Sequence, residues 1–148
     1  MINDKIKTLG ELEIILRDKD GNIKVQKTVP NLVVTEGKRV IASRLVGTAS
    51  AIMSHMAVGT SSTGQVAADT TLGAEIALSR TALTSGTSSN NEVTYIATFP
   101  AGTGTGAITE AGIFNASTAG SMICRTTFAV VNKDIGDALT INWKITIS

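Results

Sequence analysis

Chemistry in this chain would have to run on few groups. His55 is the single histidine and Cys124 the single cysteine. No pair of either can form, which excludes a structural zinc site built from this chain. A Ser-His-Asp relay would have to use His55, which sits inside the apolar run 52–58 (IMSHMAV). That setting reads as structural rather than as a catalytic base. Cys124 lies between Ile123 and Arg125 and reads as a small buried hydrophobe. The run Gly102-Thr103-Gly104-Thr105-Gly106 is glycine-rich like a phosphate loop. No Lys-Ser or Lys-Thr follows it, and the next segment has strand character, so no helix N-terminus is there to hold phosphate. The carboxylates Asp69, Glu75 and Glu110 would suit a glycosidase only if two stood at a set separation, with aromatics to stack the sugar. Only 3% of the chain is aromatic. No catalytic residue, cofactor or metal is therefore expected.

The charges of greater interest are those embedded in apolar strands. Glu110 sits in 108–114 (ITEAGIF), and Arg80 and Arg125 are similarly placed. The expectation is that Glu110 pairs with Arg80 or with Arg125 in a partly buried link between strands, a geometry suited to the planar guanidinium. The alternative is an exposed Glu on an edge strand.

The elements that must position these groups are strands. The segment 138–147 (ALTINWKITI) alternates Leu139, Ile141, Trp143, Ile145 and Ile147 with polar residues. That is the period of a half-buried strand. With 108–115 and 121–131 it predicts a meander, joined through 116–120 and 132–137. A β-hairpin is expected from 10–17 and 23–29 around Asp18-Lys19-Asp20-Gly21-Asn22, whose residues tolerate left-handed backbone. Pro30 either ends the second strand or marks a sheet edge. The segment 35–46 (TEGKRVIASRLV) is the helix candidate, with Thr35 as cap, Gly47 as stop, and Val40, Ile41, Leu45 and Ala42 toward the sheets. Gly37 weakens it by about 1 kcal/mol against Ala. Strands are further expected at 52–58, 75–84 and 93–99. Between them lie a long polar loop 59–72, the connection 85–91 and the loop 100–107, which reads as hinge-like. The sum is an all-β domain, a β-sandwich or jelly-roll-like fold of roughly seven or eight strands with one short helix. Residues 10–148 form the domain, and residues 1–9 a polar arm.

Composition narrows the partners. The chain has 148 residues, is 43% hydrophobic and 17% charged, and carries a net charge of +1. There is no basic stripe for nucleic acid. No apolar run approaches the ~20 residues of a spanning helix, so a membrane is not an expected partner. The N-terminus lacks the pattern of a signal peptide, and a lone cysteine fits synthesis in a reducing cytoplasm.

Taken in order, NLVVTEG at 31–37, AVGT at 57–60, DTTLGAE at 69–75, Arg80, ITEAGIF at 108–114, RTTF at 125–128 and the alternating strand 139–147 resemble a family of small virion proteins of tailed bacteriophages. The resemblance spans about residues 31–147 and rests on the order of the motifs. It implies a capsid cement or decoration protein, bound outside the shell of major capsid protein and made in the bacterial host cytoplasm. Relatives of similar appearance serve in tails, baseplates or fibres. It brings no catalytic motif. Shell symmetry would suit a homodimer or homotrimer. Partner contacts are expected from Met1, Ile2 and Asn3 in the arm, from Thr60, Ser61 and Ser62, and from Gly102, Thr103 and Gly104. Two further readings are a carbohydrate-binding adhesin module and an intracellular β-sandwich with no virion role.

Overall fold

A computed structural model describes residues 5–48 and 50–148. In chain order its elements are β1 (Thr8–Arg17), β2 (Ile23–Val33), α1 (Thr35–Leu45), β3 (His55–Gly59), β4 (Thr81–Ala82), β5 (Ser85–Ser89), β6 (Glu92–Phe99), β7 (Gly106–Phe114), β8 (Met122–Lys133) and β9 (Ala138–Ile147). The nine strands run in the order β4-β3-β7-β8-β2-β1-β9-β6-β5, and every pairing between them is antiparallel. The fold is all-β, as the alternation predicts, but the expected meander is not formed: β8 pairs with β7 and β2, while β9 lies between β1 and β6. The sheet curls on itself at β2. Its first part pairs along β1, while Leu32 and Val33 at its end pair with Arg125 and Cys124 of β8. The curl brings two faces together in a sandwich-like core.

The inward residues of β9 and β1, among them Trp143, Ile141, Leu12 and Ile14, meet Met56, Val58, Ile108 and Ile113 from β3 and β7 in one cluster. Strict alternation in β9 buries Leu139, Ile141, Trp143 and Ile145, each 2% exposed or less. Burial of that set is the main force fixing the register, because a slip of one residue would turn every side chain outward.

Several boundaries differ from the sequence reading. β1 begins at Thr8, and the Ser148 N–H donates to the Lys7 carbonyl at 2.8 Å, so the end of the expected arm belongs to the sheet. β2 continues through Pro30, whose carbonyl accepts from the Thr126 hydroxyl at 2.7 Å. The expected connection 85–91 is largely strand. β5 pairs with β6, and Asn90 takes the left-handed turn with φ 52°. Its five residues, SGTSS, carry no apolar alternation to announce a strand. The expected strand 75–84 shrinks to β4 and a single bridge from Glu75 to Gly59.

In α1, Thr35 does not cap. Val34 holds the cap position with no side-chain hydrogen bond, and the Thr35 N–H donates to the Ala67 carbonyl at 2.8 Å. Val40 is buried, but Leu45 is 76% exposed and Ala42 is also exposed. Gly37 is what lets the helix form here. A Cβ at that position would lie 2.1 Å from the Ile123 carbonyl oxygen, so only glycine permits α1 to seat on β8.

Candidate functional site

The long segment between β3 and β4, residues 60–80, is bound tightly to the sheet. Glu110, in the middle of β7, is fully buried. Its carboxylate reaches outward from the strand into the loop. One oxygen accepts the backbone N–H groups of Ala74 at 2.7 Å and Ser61 at 3.3 Å, and the other accepts that of Gly73 at 2.9 Å. Arg125, on the neighbouring strand β8 and 2% exposed, donates from Nε to the same second oxygen at 2.9 Å. Its remaining nitrogens donate to the Asp69 carboxylate and to the Thr63 carbonyl, both at 2.9 Å. The arrangement satisfies a buried negative charge and a buried positive charge with backbone and each other, the condition under which such a pair can persist in a core. Gly59 clears the path, since a Cβ there would stand 2.3 Å from Glu110 Oε1.

Around this latch the loop makes further ties. The Thr109 hydroxyl donates to the Ser61 carbonyl, and the Gln65 side chain accepts from both the N–H and the hydroxyl of Thr127. The Ile76 N–H donates to the Val58 carbonyl, and so does the Ser79 hydroxyl. Within 59–72 the side chains of Gln65 and Asp69 bond to the sheet, while those of Thr60, Ser62, Thr63, Thr70 and Thr71 are exposed.

Of the two arginines considered for Glu110, Arg125 is its partner. Arg80 instead forms a two-pronged pair with Glu75, with nitrogen–oxygen distances of 2.9 and 3.2 Å. It also donates to the carbonyls of Ala116 and Ala119 and lies 3.6 Å from the centre of the Phe114 ring. Arg80 thus clamps the end of the loop to the turn between β7 and β8. The exposed-Glu alternative for Glu110 is overturned by its burial.

Asp69 and Glu110 converge on one guanidinium, and Glu75 is held by another. The three carboxylates form no acid–base pair flanking an open cleft. His55 Nδ1 lies 2.8 Å from the Ser54 hydroxyl, and among the described residues neither side chain is hydrogen-bonded to a carboxylate. Burial pushes the Cys124 thiol well above its ordinary pKa, which suppresses the reactive thiolate. Among the described residues no group of His, Cys, Asp or Glu is arranged to hold a metal ion. Trp143 is fully buried and offers no sugar platform.

The expected contact residues fall in different settings. Met1, Ile2 and Asn3 lie outside the described residues. Thr60 and Ser62 are exposed and Ser61 is half-buried. Gly102 is exposed, but Gly104 is buried against Val58 and Phe99 and presents no surface. The loop 100–105 is not a free hinge. Gly102 N–H donates to the Ile135 carbonyl at 2.8 Å, and the buried Lys133 ammonium donates to the Pro100 carbonyl at 3.0 Å.

Sequence reasoning missed Leu78. It is 96% exposed, and its φ of 59° places it in the left-handed region that leucine rarely occupies. The turn that holds it closes through the Ser79 N–H on the Ile76 carbonyl at 3.0 Å. In sequence, Leu78 looks like one apolar residue in a strand, and nothing local marks it. Asp69 was likewise missed as the third member of the ion cluster, because its partner is 56 residues away.

No protein-family model, no curated protein and no solved structure matches this chain.

Proposed function

We propose that the chain is a non-enzymatic structural protein of a tailed-bacteriophage virion, a capsid cement protein bound outside the major capsid protein shell. The observation that carries this reading is Leu78. A fully exposed large apolar side chain on strained backbone contributes nothing to the isolated domain. Strain of this kind persists at contact and clamp sites, where the surrounding structure over-determines it. The bonds of Ile76 and Ser79 to the Val58 carbonyl and the Arg80–Glu75 pair supply that structure around Leu78, and the rest of the loop is held by the latch at Glu110 and Arg125. Together they order the loop before any encounter, so a partner need not bear the entropy of ordering it. Leu78, with Thr60 and Ser62 on the same loop, forms the contact surface in this reading. The ordered motif series in the sequence supports the same assignment. Binding only the closed shell would stabilise it by mass action.

The test is the copy number relative to major capsid protein in purified virions, by quantitative mass spectrometry. About one copy per shell subunit, or a simple fraction of one, is expected for a protein repeated with shell symmetry. A handful of copies per particle would move the protein to the tail, and absence from the particle would overturn the virion reading.

A further inference from the structure

The curled sheet parts along two seams, and its own side chains bar one of them. The ladder between β2 and β8 is confined to Leu32 and Val33. Along the rest of that seam Lys27, opposite the buried Ile14 and on its inward face, donates to the Ala129 carbonyl at 2.6 Å. Lys24 reaches across to Asp134 and Asp137. An inward-pointing lysine is a known guard of a strand edge against addition of a further strand. The second seam lies at β5, the last strand in the sheet order. β5 has β6 on one side and, among the described residues, no strand on the other. Its sequence, SGTSS, holds neither a charge nor a proline to guard that edge. A cavity of about 490 Å³ separates β5 from residues 52–54, with Met53, Leu83, Val93 and Tyr95 in its lining. No charged residue lines it, and neither do residues 5–9, Thr48 or Ser50.

We propose that this second seam accepts an extended, uncharged segment of a partner protein, which adds to the sheet as a strand beside β5. An edge strand leaves a row of N–H and C=O groups unpaired, and an extended backbone matches their spacing. Main-chain bonds then give the affinity, and alternate side chains give the fit. Tyr95 is placed to meet those side chains. It stands opposite Gly86, and a Cβ on that glycine would lie 3.3 Å from the ring Cδ1. The ring therefore lies over the edge strand where a side chain would otherwise stand. Apolar residues of the segment would seat against Tyr95, Met53 and Leu83. A charged one would be desolvated with no counter-charge in the lining. The shape of the seam selects a loose segment over a second copy. Residues 52–54 form its far wall, and the Leu83 N–H, donating to the Ser54 carbonyl at 2.9 Å, closes one end. A second copy's β5 is itself the wall of such a slot and cannot enter another. The seam is separate from the latched loop, and the inference stands whether or not the chain belongs to a virion.

The test is calorimetric titration of the full chain with an end-capped peptide of about seven residues that alternates Val with Thr. One twin is N-methylated throughout, which keeps the side chains and removes every backbone donor. A second twin carries Glu in place of Val. A Kd of about 100 μM or tighter is expected for the parent peptide, and binding at least roughly tenfold weaker for both twins. Ser88 lines the seam opposite Val93 and is exposed. Ser88→Lys gives β5 the kind of guard that Lys27 provides on β2, and it should abolish binding with unchanged circular dichroism. Failure of the parent peptide to bind, equal binding of either twin, or indifference to Ser88→Lys overturns the proposal. Self-association that Ser88→Lys removes, without peptide binding, would assign the edge to a second copy and equally overturn the proposal.

Discussion

At the scale of single residues, Glu110 has the largest consequence. Its carboxylate neutralises Arg125 and accepts three backbone N–H groups of the loop. Glu110→Gln keeps the shape but leaves a buried guanidinium short of its counter-charge. A loss of about 3 kcal/mol is expected, seen as a drop in Tm of roughly 10 °C. A variant melting at the wild-type temperature would remove the ion pair from any role in stability. Gly37 makes a different case. Gly37→Ala raises intrinsic helix propensity by ~1 kcal/mol, yet its new methyl would meet the backbone of Ile123. Backbone cannot swing aside as a side chain can. A net loss of about 2 kcal/mol is expected in denaturant unfolding, opposite in sign to what propensity alone predicts.

Among the elements, the segment 60–80 stands apart because it behaves as part of the sheet without being strand. Its order comes from Glu110, Arg125, Thr109 and Thr127 on β7 and β8. Leu78 is its one feature that opposes stability. A left-handed leucine costs on the order of 1–2 kcal/mol, partly offset by the freedom glycine would have in the unfolded chain. Because Leu78 makes almost no contact, Leu78→Gly should stabilise the isolated protein by about 0.5–1 kcal/mol. Under the proposed function, the same substitution should weaken binding to capsid shells at least roughly tenfold in a co-sedimentation assay, a trade of function for stability. Unchanged shell binding would remove Leu78 from the interface.

For the molecule as a whole, the pH response follows from charges near the hairpin turn of β1 and β2. The Asp137 carboxyl is held below its usual pKa of 3.8, first by the hydrogen bond from the Lys24 ammonium and then by the Asp134 backbone N–H. Asp18 is also held below 3.8, chiefly by the Asn22 backbone. A carboxyl with a depressed folded pKa stabilises the fold above the unfolded value, and that contribution is lost as pH falls through the folded value. Lys24 is raised above 10.5, chiefly by Asp137, so its contribution is complete below 10.5 and is lost as pH rises through the raised value. Stability should therefore fall at acid pH below about 4, and Asp137→Asn should flatten that limb of a Tm–pH profile. An unchanged acid limb would place the sensitivity elsewhere.

The sequence alone determined those features whose cause is local. Alternation in 138–147 sufficed for β9, because burial on one face imposes a period of two on the residues themselves. Asp18 and Gly21 marked the first hairpin, and an isolated acid in an apolar strand was enough to expect an arginine partner for Glu110. What only the tertiary structure decided depends on residues far apart in the chain. The choice of Arg125 over Arg80 follows from β7 lying beside β8. The strand identity of β5 comes from pairing with β6, since SGTSS has no pattern of its own. The order of the segment 60–80, the burial of Gly104 and the exposure of Leu45 and Leu78 depend on how the curled sheet brings its faces together. Long-range contact sets these, and no single stretch of sequence contains both of the partners that make them.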